Sequence, residues 1–239
     1  MTSGAPSASR SRPPAFVVLI GWVLVGAGAC VLLYLLYALL FTNIGADQAQ
    51  DELRDQWRAQ AAPAEPTVAE RDAVVAERDA DGPQPDGDRA EPLALPEGPA
   101  LALVEFVRPG SATPPVHDEP LVVLEGVTTE VLAKGPGHYP STAGPGEDGN
   151  FAVAGHRTTY GAPFYHLDAL RDGDQILVTD RRGTRHTYEV VEQHVVGPSD
   201  VWVIGHDPLG RDGATMTLTT CHPRFSAAER LIVHAELMS

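Results

Sequence analysis

The spacing of apolar positions divides the chain into three stretches. Residues 15–41 carry no charge and show no alternation, giving 27 consecutive uncharged, mostly large apolar side chains. A helix needs ~20 such residues to cross a bilayer. A cleaved signal peptide competes with this reading, but its apolar core is ~7–15 residues long, so the run predicts a membrane anchor. Residues 47–98 are different: apolar side chains are sparse and prolines recur from Pro63 onward. Here the pattern predicts at most a short helix over 47–60. The rest reads as a solvated linker, because so little apolar surface does not offset the entropy of ordering the chain. From Leu101 the pattern changes again, to short apolar or alternating runs separated by Gly, Pro and Asp clusters such as Gly144-Pro145-Gly146. These predict strands at 102–107, 121–124, 151–154, 175–179, 187–196, 201–204, 214–220 and 231–237. In the last of them Leu231, Val233, Ala235 and Leu237 share one face. Only 127–133 and 164–170 predict short helices. Evenly spaced strands with few helices point to a closed barrel or a sandwich.

Charge adds direction. The formal net charge of −15 argues against a nucleic-acid partner. Arg10 and Arg12 precede the apolar span and acidic residues follow it. The positive-inside rule therefore places the N-terminus in the cytoplasm and everything after Phe41 outside. Residues 47–98 hold fourteen Asp and Glu against five Arg, which fits a solvated stalk or an acidic segment that binds a partner. The expected organisation is a cytoplasmic segment 1–14, an anchor 15–41, an acidic, Pro-containing extracellular linker 42–98 and one globular domain 99–239.

Candidate chemistry centres on the second of two cysteines. Cys30 belongs to the apolar run, so Cys221 has no disulfide partner within the globular part. It ends the strand pattern Thr217-Leu218-Thr219-Thr220-Cys221, where a lone thiol is either a buried structural group or a nucleophile. If that strand continues through Cys221, His222 faces away from it, and the acid or base must come from elsewhere. His156 ends another short apolar run far upstream, in Gly155-His156-Arg157, and Arg230 opens the run after Cys221. Three strand ends distant in sequence can converge on one site. The remaining histidines show neither an HExxH pattern nor a cysteine-rich zinc pattern. Glu125, Glu147 and Asp148 lack EF-hand spacing. No metal or other cofactor is expected.

At these residues a resemblance emerges. Thr217-Leu218-Thr219-Thr220-Cys221 resembles the TLxTC signature of sortases, the cysteine transpeptidases of Gram-positive cell surfaces. Three longer strings are similar to class E sortases of high-GC Gram-positive bacteria: Lys134-Gly135-Pro136-Gly137-His138-Tyr139-Pro140, Ala154-Gly155-His156-Arg157-Thr158-Thr159-Tyr160, and Cys221-His222-Pro223-Arg224-Phe225 continuing to Arg230. The similarity runs from Leu101 to Leu237 and departs from the family at 106–116, which lacks an Ile-Pro-x-Ile-Gly run.

The resemblance implies an eight-stranded sortase β-barrel with Cys221 as nucleophile, His156 as proton donor and acceptor, and Arg230 as holder of the substrate carbonyl or the developing oxyanion. It implies cleavage of an LAxTG-like or LPxTG-like sorting signal between Thr and Gly, followed by transfer of the surface protein to an amine of a cell-wall precursor. Tyr139 is expected in the groove that receives the start of the signal, and Thr220 beside the nucleophile. The long loop after residue 196 carries Val201, Val203 and Ile204 and is expected to clamp the signal. A cysteine hydrolase, a pilin-polymerising sortase and a catalytically silent binding module are the rival readings.

Overall fold

The computed structural model describes residues 15–61 and 100–238. The expected N-terminal segment 1–14 and linker residues 62–98 lie outside the described residues. The chain divides into two units, Met1–Phe41 and Thr42–Ser239. Helix α1 spans Ala15–Ala61. In the first unit its described side chains are exposed, Trp22 by 71% and Leu32 by 68%. The stretch Phe16–Tyr34 has a mean hydropathy of 2.6, long and apolar enough to cross a membrane.

In the second unit α1 continues through the 47–60 stretch where a short helix was expected, and one face of it is buried. Ala46, Gln50, Leu53, Arg54 and Trp57 are buried, at the spacing of one helix face. Only two large apolar residues mark that face, so the surrounding acidic residues concealed it. Polar side chains do much of the docking. The Gln50 amide donates from Nε2 to the carbonyls of Val122 (3.1 Å) and Lys134 (2.9 Å), and its Oε1 accepts from the Val122 N–H at 2.9 Å. Arg54 donates to the Pro120 carbonyl at 3.1 Å and pairs with Glu119 at 2.7 Å.

The rest of this unit is a closed barrel of β1 (Ala100–Val107), β2 (Leu121–Glu125), β3 (Gly137–His138), β4 (Gly149–Ala154), β5 (Gln175–Asp180), β6 (Arg185–Val196), β7 (Ala214–His222) and β8 (Glu229–Leu237). The strands close in the order β1-β2-β3-β4-β7-β8-β6-β5. Alternation decides which side chains fill it. Ala102, Val104 and Phe106 of β1, Phe151 and Val153 of β4, Met216 and Leu218 of β7, and Leu231, Val233 and Ala235 of β8 form one buried cluster. β2 is buried on both faces: Leu121 and Val123 join that cluster, while Val122 and Leu124 pack against Leu53 of α1. β4 is buried along its whole length.

Two expectations change. Residues 201–204 form a 3-10 turn, Val201–Ile204, in which Val203 is the only buried residue. An apolar, β-branched run looks like a strand, but here no ladder partner receives it. The eighth strand is instead the two-residue β3, which pairs with β2 in parallel and β4 in antiparallel fashion. Its Gly-Pro-Gly context hides it. The predicted helices also shorten. Residues 127–133 become α2 (Thr129–Leu132), capped by the Thr128 hydroxyl, and 164–170 contain one 3-10 turn, Leu167–Ala169.

Candidate active site

The site lies on the outer face of β4, β7 and β8, at one end of the barrel. β4 and β7 run parallel with Ala154 opposite Thr219, so continuing the register brings His156 level with Cys221. The chain beyond β4 stays fastened to β7. The Gly155 N–H donates to the Thr219 carbonyl at 3.0 Å, and the Thr220 hydroxyl donates to the Gly155 carbonyl at 2.7 Å. On the other side β7 and β8 are antiparallel, and Cys221 and Arg230 are direct partners. Since Met216, Leu218, Leu231 and Val233 face the core, alternation puts Cys221 and Arg230 on the outside. The structure thus brings His156, Cys221 and Arg230 to one place.

Each has a distinct environment. The Cys221 thiol is free and partly buried. His156 is partly buried, its ring centroid 4.9 Å from that of Tyr160, and its Nε2 is buried with no hydrogen-bond partner among the described residues. Burial pushes its pKa below the usual histidine value, because desolvation disfavours the imidazolium. Arg230 donates through Nη1 to the carbonyls of Ala227 (3.0 Å) and Glu229 (2.9 Å). These two bonds fix the planar guanidinium against the β7–β8 connection and leave its other donors for a ligand.

A cleft of about 80 Å³ lies beside Arg230. Tyr139, Val201, Val203, Ile204 and Thr219 contribute to its walls. Four of the five residues expected to bind substrate therefore gather with Arg230. The fifth, Thr220, does not: it is buried on the core side of β7, and its hydroxyl is committed to Gly155. Its place is in fastening the chain just before His156 to β7. The Tyr139 hydroxyl lies 3.4 Å from that of Thr219.

Sequence reasoning missed a support behind the thiol. Arg157 is buried and reaches the Cys221 carbonyl (3.4 Å), Nδ1 of His222 (3.1 Å) and Asp168 (3.0 Å). Arg224 also grips Asp168, at 2.7 and 2.9 Å, and covers the Tyr165 ring at 4.6 Å. The available signal was Arg157's place directly after His156, where it faces the opposite way. His138 is buried under Glu125, the Ala143 carbonyl and Thr142, and orders the turn after β3.

The sequence and fold match known proteins. A family model described as Sortase domain covers residues 114–238. The chain is 30% identical to sortase SrtE1 of Streptomyces coelicolor across 96% of its own length, and it spans 60% of the length of that relative. The solved sortase E from Streptomyces avermitilis is 43% identical, with a TM-score of 0.50 over 59% of this chain and 88% of that one. SrtF sortase from Corynebacterium diphtheriae is 32% identical, with a TM-score of 0.53 over 65% of this chain and 92% of that one. With the family match covering more than half of the chain, and with similarity to class E members in particular, the protein belongs to the sortase family.

Proposed function

We propose that the protein is a membrane-anchored cysteine transpeptidase that cleaves an LAxTG-like sorting signal and joins the released surface protein to an amine of a cell-wall precursor. One observation carries the reading: His156, Cys221 and Arg230 occupy adjacent strand ends on one face, beside a cleft walled by Tyr139 and the Val201–Ile204 turn. The Cys221 thiolate attacks the Thr carbonyl carbon. The oxyanion that develops is held by the Arg230 guanidinium. His156 as imidazolium gives its proton to the leaving Gly amine, and a thioester remains. The neutral ring then takes a proton from the incoming amine as it displaces Cys221. Burial of His156 favours its neutral form and so the second half-reaction.

The apolar span supports a single-pass anchor. The charge asymmetry around it supports an N-terminus in the cytoplasm and a barrel outside, where sorting signals and wall precursors meet. The test is incubation of the full chain in detergent micelles with fluorogenic LAxTG and LPxTG peptides, with and without a primary amine. Thr–Gly cleavage with an amide product in the presence of amine supports the reading. Hydrolysis alone at every amine concentration identifies a peptidase, and the absence of any thioester identifies a binding module.

A further inference from the structure

Behind the cleft lies a buried polar chain whose hydrogen bonds have only one consistent direction. Asn150 on β4, Thr217 on β7 and His234 on β8 are each at most 1% exposed. Asn150 Nδ2 lies 3.4 Å from the Val203 carbonyl and 3.0 Å from that of Gly205. Both carbonyls only accept, so this nitrogen donates and the amide orientation is settled. Asn150 Oδ1 then accepts from the Thr217 hydroxyl at 2.8 Å. That hydroxyl has spent its proton, so at its 2.9 Å contact with His234 Nδ1 it accepts, and His234 carries its hydrogen on Nδ1.

The two carbonyls at the end of this chain flank Ile204, in the turn that walls the cleft. The other end of the chain meets the same turn. The His234 ring lies 6.1 Å from that of Trp202, with His194 packed edge-on at 5.6 Å. Both ends of Val201–Ile204 are thus fixed by one connected unit that never enters the cleft. Its bonds run in one direction and end at His234 Nε2, which is buried with no hydrogen-bond partner among the described residues, and breaking one bond leaves further buried groups without partners.

We propose that Asn150, Thr217 and His234 are positioning residues for recognition of the sorting signal: they hold the Val201–Ile204 turn at the height the peptide requires. The proposal rests on the sortase reading above. It gives a task to the first threonine of the Thr217-Leu218-Thr219-Thr220-Cys221 string that is separate from the thiol chemistry.

The test uses the full chain in detergent micelles and two readouts, of which the first needs no activity. Thr217→Val keeps the side-chain shape and removes both hydrogen bonds. Amide hydrogen exchange across residues 200–206 is expected to accelerate at least tenfold in this variant, with β1 and β5 unchanged. With an LAxTG peptide, KM is expected to rise about tenfold while kcat stays within about threefold, and Thr217→Ser restores both readouts. Exchange that stays at the wild-type rate overturns the proposal. Faster exchange with KM unchanged also overturns it, since the network would then only stabilise the fold. If Thr217→Val does not fold, Trp202→Ala frees the other end of the turn at a half-exposed side chain and carries the same two readouts. A wild-type chain that turns over no peptide overturns the sortase reading instead, and unchanged exchange in the variants then overturns the network's hold on the turn as well.

Discussion

At Cys221 the strand supplies only the thiol, and its neighbours on β7 cannot assist: Thr220 faces the core and His222 is bound to Arg157. His156 and Arg230 come from the flanking strands, and on the proposed function the loss of each of the three has its own expected cost. Cys221→Ala removes all cleavage and all thioester. His156→Ala and Arg230→Ala each lower kcat/KM by orders of magnitude. Arg230→Lys is nearly as poor, because one ammonium cannot both keep the two carbonyls that orient Arg230 and serve an oxyanion. Peptide cleavage by purified variants checks each outcome, and near wild-type turnover in Arg230→Ala removes Arg230 from the mechanism. Tyr139 makes a finer prediction. Alanine at the second position of the signal has a backbone N–H that a tyrosine oxygen can accept, whereas proline has none and fixes its own φ. A buried polar group left unpaired costs ~1–3 kcal/mol, roughly tenfold to a hundredfold. The Thr219 hydroxyl lies 3.4 Å away as a substitute partner, which puts the expected preference for LAxTG over LPxTG near the lower end, about tenfold. The preference is expected to shrink in Tyr139→Phe and further in Tyr139→Ala. A ratio of kcat/KM values unchanged in both variants sinks the idea.

At the scale of elements, the segment that departs most from expectation is the second half of α1. The barrel alone would expose Val122 and Leu124 on the outer face of β2, with the Val122 N–H and carbonyl unpaired where Gln50 now meets them. Burying a large apolar side chain contributes ~1.5–3 kcal/mol before the entropy of ordering the helix is subtracted. A chain starting at residue 42 is therefore expected to melt at least several degrees above one starting at residue 101, at about 2–4 °C per kcal/mol for this size. Equal melting temperatures would reduce the docked helix to a surface ornament. A short helix over 47–60 was legible, but its docking was not: besides Leu53 and Trp57 its hold on the barrel depends on Gln50 and Arg54, and polar docking leaves little hydrophobic period to read. The two-residue β3 was hidden in the same way, since Gly137 contributes no side chain. The other strands were legible because Val, Ile and Leu alternate against a single core, and the three candidate chemical residues because each stands at a strand end. At Val201–Ile204 composition predicts a strand, but the outcome depends on carbonyls that a distant asparagine captures.

For the molecule as a whole, net charge and buried histidines pull in opposite directions as pH falls. The chain carries −15 at pH 7, so protonating carboxylates on the way to its pI near 4.9 relieves repulsion and by itself favours the compact state. That term is spread over the surface and screened within about 8 Å at physiological salt. The opposing term is local. His234 has no exposed surface, and its pKa is lowered to about 4 by burial and by His194, against a smaller pull from Glu192; its other neighbours, Thr217 and Trp202, carry no charge. Below the usual histidine value the unfolded chain gains a proton that the folded chain refuses. Stability is therefore complete above that value and falls with pH down to about 4, by up to ~1.4 kcal/mol per pH unit. Burial of His156 acts in the same direction. Lower still, Asp174 adds to the loss: burial raises its pKa, but the hydrogen bonds from Arg108 and Arg171 prevail and hold it below the usual carboxylate range. The melting temperature of the full chain in micelles is thus expected to decline steadily from pH 7 to pH 4.5. His234→Asn keeps a donor for Thr217 but does not titrate, so it is expected to flatten that decline while costing stability at pH 7 through the lost ring packing. A wild-type melting temperature that rises on acidification would show that relief of repulsion wins. An equal slope in His234→Asn would mean that His234 is not the group the fold keeps neutral.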